Sequence, residues 1–326
     1  MTVSFRALTA AAMLVTALVV PQAVGAQSYP TRPVTLIVPS TAGGGTDIIA
    51  RLIGDQLSKQ FGQGFVIENR PGAGLIVGTV AAAKAAPDGY TLLVGLNGSM
   101  AVNPSLFASL AYDPLRDFTP VAMLADYPFL VVVNNDLPAK SIKELIALGK
   151  SKPGQINYAS GGNGTGQQLS MELFKTMTGA DFAHVPYRGA QPAYLDVISG
   201  RVPIFFDNMS GALSLVKGGK VRALAITSNK RSTLLPDVPT VNEAGVQGYE
   251  YHTWFGLWAP RNTPKPIVER LHAEVKKALA DPGVREKIAA TAGVPSDLAL
   301  ADITPFVEAE IEKWAEVVKR AGIKVN

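Results

Sequence analysis

The chain has 326 residues, 47% hydrophobic and 17% charged, a balance that belongs to a compact globular protein and excludes a disordered one. Its formal net charge of +4 is spread along the sequence without a lysine or arginine block, which argues against a nucleic-acid partner or an anionic membrane surface. Cysteine is absent, which removes thiolate metal sites and cysteine nucleophiles, and the length suffices for two domains with their own cores.

Arg6 is followed by an apolar run at 7–20, then by Pro21 and the small residues Val24, Gly25 and Ala26. A positive start, a short greasy middle and a small-residue end read as a secretory signal peptide over 1–26, with cleavage expected after Ala26. The run is short for a bilayer span, which takes roughly 20 apolar residues. The mature chain is therefore expected to be exported and soluble, and to lie in the periplasm of a double-membraned cell.

A β-branched strand is expected at 34–38, ending at Pro39. The loop PSTAGGGTD at 39–47 follows, then a helix over about 47–60 with Thr46 as the expected N-cap. Three successive glycines let backbone approach a bound atom closely, and the helix N-terminus favours an anion. Strands are expected at 65–67 and 91–94 with a helix at 79–86 between them, and Asn97 follows the second of these strands. Further strands are expected at 130–133, 157–159, 183–186, 204–206, 223–227 and 254–258. The last third reads as helices over 264–280 and 304–321 with one more between them; Phe306, Ile311, Trp314, Val317 and Val318 make a core-facing stripe. Strands alternating with helices predict an α/β protein with parallel, doubly wound sheets. The composition of the segments suggests two lobes, 27–127 plus 252–326 and 128–251, with crossings near 127–128 and 251–253 and a ligand cleft between them.

A second loop of the same chemistry, SGGNGTG at 160–166, precedes a helix starting near Gln167. Asn163, Thr165 and nearby amides could converge on a carboxylate, and two such loops on opposite lobes would form a pincer for one small anion. Neither carries the Walker pattern. The cluster GAGLIVG at 72–78 has the wrong spacing and position for a dinucleotide fingerprint and reads as a turn. No nucleophile elbow or zincin helix is present; of three histidines, His184 reads as structural and His272 as a surface residue. Asp207 and Asn208 follow a strand at the carboxyl end where α/β sheets bind ligands, with helix capping by Asp207 as the other reading. Arg188 is the basic side chain in a loop near the cleft and reads as solvated.

Taken in order, YPTRPVTLIVPSTAGGGTDIIAR (29–51), VIENRPGAG (66–74), APDGYTLL (86–93), NPSLFASLAYDPLRDFTPVA (103–122), INYASGGNGTG (156–166), HVPYRGAQPAYLDVISGRV (184–202), VRALAITSNKRSTLLPDVPTVNEAG (221–245) and WFGLWAP (254–260) give the chain a strong resemblance to a known family. It resembles the Bug family of periplasmic solute-binding proteins, the TctC-like receptors of tripartite tricarboxylate transporters. The resemblance implies a two-lobed type II periplasmic-binding-protein fold whose glycine-rich loops pinch a carboxylate through amides, hydroxyls and ordered water. Carried over, Thr41, Ala42 and Gly43 match the first loop, Asn163, Gly164 and Thr165 the second, and Asp207 a recurrent aspartate bordering the cleft. Ser40 stands where the family often has an aromatic, and Gln168 where it commonly has a histidine. The expected ligand-binding set is these residues with Asn97, Gly166 and Tyr187; Tyr127, Phe129, Tyr187 and Trp254 are candidates for a distal pocket.

The expected activity is non-enzymatic: capture of a small organic acid (mono-, di- or tricarboxylate, aromatic or amino acid) by a monomer that delivers it to membrane transporter subunits. No metal or cofactor is expected. A sensor subunit feeding a signalling receptor is the alternative, and a hydrolase or isomerase built on Asp207 lacks a paired base and nucleophile.

Overall fold

Residues 29–322 are described by a computed structural model, and the expected signal peptide and cleavage point lie outside them. Strand β1 (Val34–Val38) leads into α1 (Gly45–Phe61), followed by β2 (Phe65–Asn69), α2 (Ile76–Ala83) and β3 (Thr91–Leu96). β1 lies between β2 and β3 and runs parallel to both. Ile49, Ile53 and Leu57, one helical turn apart, bury the inner face of α1 with Leu36 and Val38 of β1. A π-turn at Gly98–Val102 and the short α3 (Asn103–Leu106) then lead to β4 (Phe118–Val133).

The second half continues with α4 (Ile142–Ser151), β5 (Asn157–Ser160), α5 (Gly166–Thr178), β6 (Ala183–Pro186), α6 (Ala190–Ile198), β7 (Ile204–Asn208), α7 (Met209–Lys217) and β8 (Arg222–Ile226). The chain returns on β9 (His252–Pro260) and closes with α8 (Lys265–Ala280), α9 (Pro282–Ala290), β10 (Val294–Pro295) and α10 (Ile303–Ala321). The sheet order is β2-β1-β3-β9-β4-β7-β5-β6, with β8 and β10 also paired to β4. The C-terminal stripe packs as its spacing predicts: Trp314 and Val318 are buried, and the Trp314 ring meets Tyr251 edge-on at 5.5 Å.

Four expectations change. The sheets are mixed, because β9 runs antiparallel to β3 and β4, and β4 antiparallel to β7 and β8. The chain leaves the first half on β4 and comes back on β9, so these neighbours must point in opposite directions. β4 is also 16 residues long, four times the segment read from sequence. Pro120 sits beside a register shift and Pro128 where the strand changes partners, so both are tolerated there. Lastly, Thr46 does not cap α1: Gly44 is the N-cap, and Thr46 lies buried in the first turn. His272 is likewise not a free surface residue, since its Nδ1 lies 2.8 Å from the Val121 carbonyl oxygen of β4.

Strand alternation gives the β4–β9 ribbon two faces. Phe129, Thr253 and Phe255 look into one hollow, while Asp126, Pro128, His252 and Trp254 line another, of about 860 Å³, on the reverse side.

Candidate functional site

The first hollow is a cavity of about 650 Å³ walled by the loops that follow β1, β2, β5 and β6 and by the junction of β7 with α7. The N-termini of α1, α5, α6 and α7 all reach it, through Gly45, Gly166, Ala190 and Asn208. First-turn amides have no acceptor within their own helix, so the cavity gathers partial positive charge without lysine or arginine. Among its lining residues Arg188 is the one basic side chain, and it is exposed.

The β1–α1 loop is shaped by Asp47 from beneath. Gly43, at φ 79°, donates its amide to Asp47 Oδ2 at 2.9 Å, and Arg51 and Asn69 complete the carboxylate's partners. Burial pushes Asp47 up, but the Arg51 guanidinium with the Gly43 and Asn69 amides outweighs it and holds the carboxyl below its ordinary range. Asn69 also donates to the Ser40 carbonyl at 3.1 Å, tying β2 to the loop.

The β5–α5 loop is braced by His184. Its Nε2 lies 2.6 Å from Ser160 Oγ and its Nδ1 3.2 Å from Gln168 Nε2, while Gln168 Oε1 accepts from the Gly164 amide at 2.7 Å. The Gln168 amide donates to Nδ1, so the proton sits on Nε2. Burial, helped by Lys175, lowers the His184 pKa to about 4, so the ring is a neutral strut. Thr165 Oγ1 donates to the Gly162 carbonyl at 2.7 Å, and Gly162 and Gly164 take φ of 133° and 75°.

The two halves meet around the cavity. A Cβ built on Gly189 would stand 2.8 Å from Thr41 Oγ1, and one on Gly74 3.0 Å from the Asn163 carbonyl oxygen. One on Gly45 would lie 3.4 Å from Asn208 Cγ.

Of the expected residues, Ser40, Thr41, Gly43, Thr165, Gly166, Tyr187 and Asp207 line the cavity. Ala42 and Asn163 are exposed on the loop crowns, and Gly164 and Gln168 are buried behind the second loop. Asn97 is buried at the end of β3, where its Nδ2 donates to Tyr251 Oη at 3.0 Å. Among the aromatics, Phe129 and Tyr187 reach the cavity. Tyr127 packs on Phe255 with ring centroids 5.5 Å apart, and Trp254 faces the reverse side, donating to Glu310 at 2.8 Å.

Asp207 is buried at the end of β7; Oδ1 accepts from Gln167 Nε2 at 2.9 Å and Oδ2 from Tyr194 Oη at 2.7 Å. Burial raises its pKa, opposed by Tyr194, Gln167 and the Asn208 amide. The helix cap is Asn208 instead, whose Oδ1 accepts from Ser210 N at 2.9 Å. This leaves Asn208 Nδ2 buried on the cavity wall without a partner, as is Ser40 Oγ. Sequence reasoning placed Asn208 beside Asp207 at the strand end but left it out of the ligand-binding set; it passed over Gln167 and Tyr194, and read the GAG cluster only as a turn, whereas Pro71 to Leu75 line the cavity.

These features define a class: the two-lobed α/β fold of the binding proteins, with a cavity between the halves. The particular family follows from comparison. The chain matches the tripartite tricarboxylate transporter family receptor, TctC, over residues 49–323, and it belongs to that family. It is 39% identical over 304 residues to the protein BugT of Bordetella pertussis, covering 93% of each chain. Among solved structures it is similar to the R. palustris protein Rpa4515 with adipate, at 41% identity and a TM-score of 0.88, covering 91% of this chain and 100% of that one. It is also similar to MatC from Rhodopseudomonas palustris with bound malate, at 37% identity and a TM-score of 0.84, covering 89% and 100%.

Proposed function

We propose that this chain is an extracytoplasmic receptor that closes over one small organic acid and hands it, unchanged, to a tripartite tricarboxylate-type membrane transporter. The observation that carries the reading is the cavity wall itself: helix N-termini from both halves, with two buried polar atoms, Ser40 Oγ and Asn208 Nδ2, that have no protein partner. Hydrogen bonds to an ionised acceptor are roughly twice as strong as neutral ones. A carboxylate satisfies these groups without a fixed counter-charge that would resist release. Adipate and malate in the two similar proteins support the same ligand class.

The lobes we assign are 27–127 with 252–326, and 128–251. The change of β4 partners between Pro128 and Phe129 supports this division. The acid touches both halves only when they are together, and that difference in contacts shifts the population toward the closed form the transporter reads.

Thermal melting and calorimetry against adipate, malate, succinate, citrate and amino acids test the receptor step. The expected result is saturable binding with a raised melting temperature and the acid recovered intact. Absence of binding to every acid, or conversion of a bound one, would end this reading. Uptake of the labelled acid by cells lacking the gene tests the transport step, with loss of uptake expected.

A further inference from the structure

We propose that Gln167 and Asp207 together make the solute cavity selective for acids that carry a hydroxyl or ammonium donor beside a carboxylate. The inference deepens the receptor reading and rests on it.

Asp207 accepts from three donors at once: Gln167 Nε2, Tyr194 Oη and the backbone amide of Asn208. An ionised carboxylate can only accept, so the Gln167 amide must turn its nitrogen toward Oδ1. Gln167 Oε1 is then fixed facing away from Asp207, and no protein donor reaches it among the described residues. Gln167 is on the cavity wall and is the second residue of α5, next to the first-turn amides that attract the carboxylate.

This places a side-chain acceptor beside the first-turn donors of α5. A bare carboxylate oxygen beside Oε1 is repelled. A hydroxyl or ammonium on the carbon next to the gripped carboxylate instead supplies the hydrogen bond that Oε1 lacks. Asp207 touches no solute in this arrangement; it is a positioning residue that decides which end of the Gln167 amide faces the cavity.

Calorimetry on the full mature chain tests this with three sets of probes: succinate and malate; glutarate, 2-hydroxyglutarate and 2-oxoglutarate; and adipate. The hydroxy acids are expected to bind about tenfold tighter than their unsubstituted parents, the size of one hydrogen bond. Gln167→Met should erase that ratio, the hydroxy acids binding the variant no tighter than their unsubstituted parents do. Asp207→Asn should turn the Gln167 amide over, because the new amide nitrogen donates where Oδ1 accepted. The preference then moves from the hydroxy acid to the 2-oxo acid, a reversal that a merely structural role for Asp207 would not produce. Should Asp207→Asn fail to fold, Gln167→Met decides alone, since that side chain is only part-buried. The inference is overturned if acids bind the parent chain without a hydroxy advantage, or if the advantage survives Gln167→Met. Binding of adipate with no hydroxy preference sinks this inference alone; no binding of any acid sinks the receptor reading beneath it.

Discussion

Asn208 offers a quantitative test of how the cavity holds an anion. Its side chain does two jobs on two atoms. Oδ1 accepts from Ser210 N at 2.9 Å and Ser210 Oγ at 2.6 Å, capping α7, while Nδ2 is buried on the cavity wall with nothing to donate to. Asn208→Asp keeps the capping oxygen, since aspartate and asparagine are about equal at an N-cap, and replaces only the free donor with a second acceptor. A hydrogen bond to a charged partner is worth about 1.5–3 kcal/mol, and the substitution adds repulsion between two carboxylates on top of its loss. Affinity for the acid that most raises the melting temperature should therefore fall by at least about 3 kcal/mol, or more than a hundredfold. Asn208→Ser, which still caps but cannot reach with a donor, should cost only the hydrogen bond, about ten- to a hundredfold. Calorimetry reads the affinities, and thermal melting checks that both variants fold. If Asn208→Asp binds the acid within about threefold of the parent, Nδ2 does not touch the ligand and the reasoning fails.

Gly189→Ala places a methyl 2.8 Å from Thr41 Oγ1 at a φ of +108°, so it should weaken solute binding at least about tenfold by wedging the halves apart. Small-angle scattering of the variant with saturating acid should show an opened shape, and an unchanged closed profile would count against the wedge. Thr165→Val removes the 2.7 Å bond that sets the second loop, and a loss of about 1–2 kcal/mol in affinity is expected by calorimetry. Unaltered affinity would take Thr165 out of the site. His184, held near pKa 4 by burial and Lys175, refuses a proton that the unfolded chain accepts below its ordinary 6.5. Its contribution to stability is thus present above about pH 6.5 and is lost as pH falls toward 4, up to about 3 kcal/mol. Titration of the His184 ring carbons by NMR at the ordinary value would contradict this.

The glycine-rich loops were legible because their geometry is local. Gly43, Gly162 and Gly164 occupy positive φ between a strand and a helix, a requirement written into residue type. The periodic face of α1 and the stripe on α10 were legible for the same reason. β4 was not, because buried residues on both faces erase its alternation and two prolines break its pattern. Nor can sequence say which way a side chain turns at a loop's edge. Gln168 and Asn97 point into packed protein, while Gln167, one residue from Gln168, faces the cavity. Asn208 needed the most: only a finished hydrogen-bond network reveals that one of its atoms is spare.

The β4–β9 ribbon is a partition between two hollows. Its front row carries Phe129, Thr253 and Phe255 against the solute hollow, and each has a neighbour in the rear row one residue away. The two hollows therefore share one wall two strands wide, and a side chain on one face is a single residue from the other. Asp126 sits in that rear row with its pKa pushed up to about 6 by burial, His252 opposing and Glu310 adding to it. A carboxyl that burial makes easier to protonate thus stands on the outward side of the same two strands whose inward side lines the cavity.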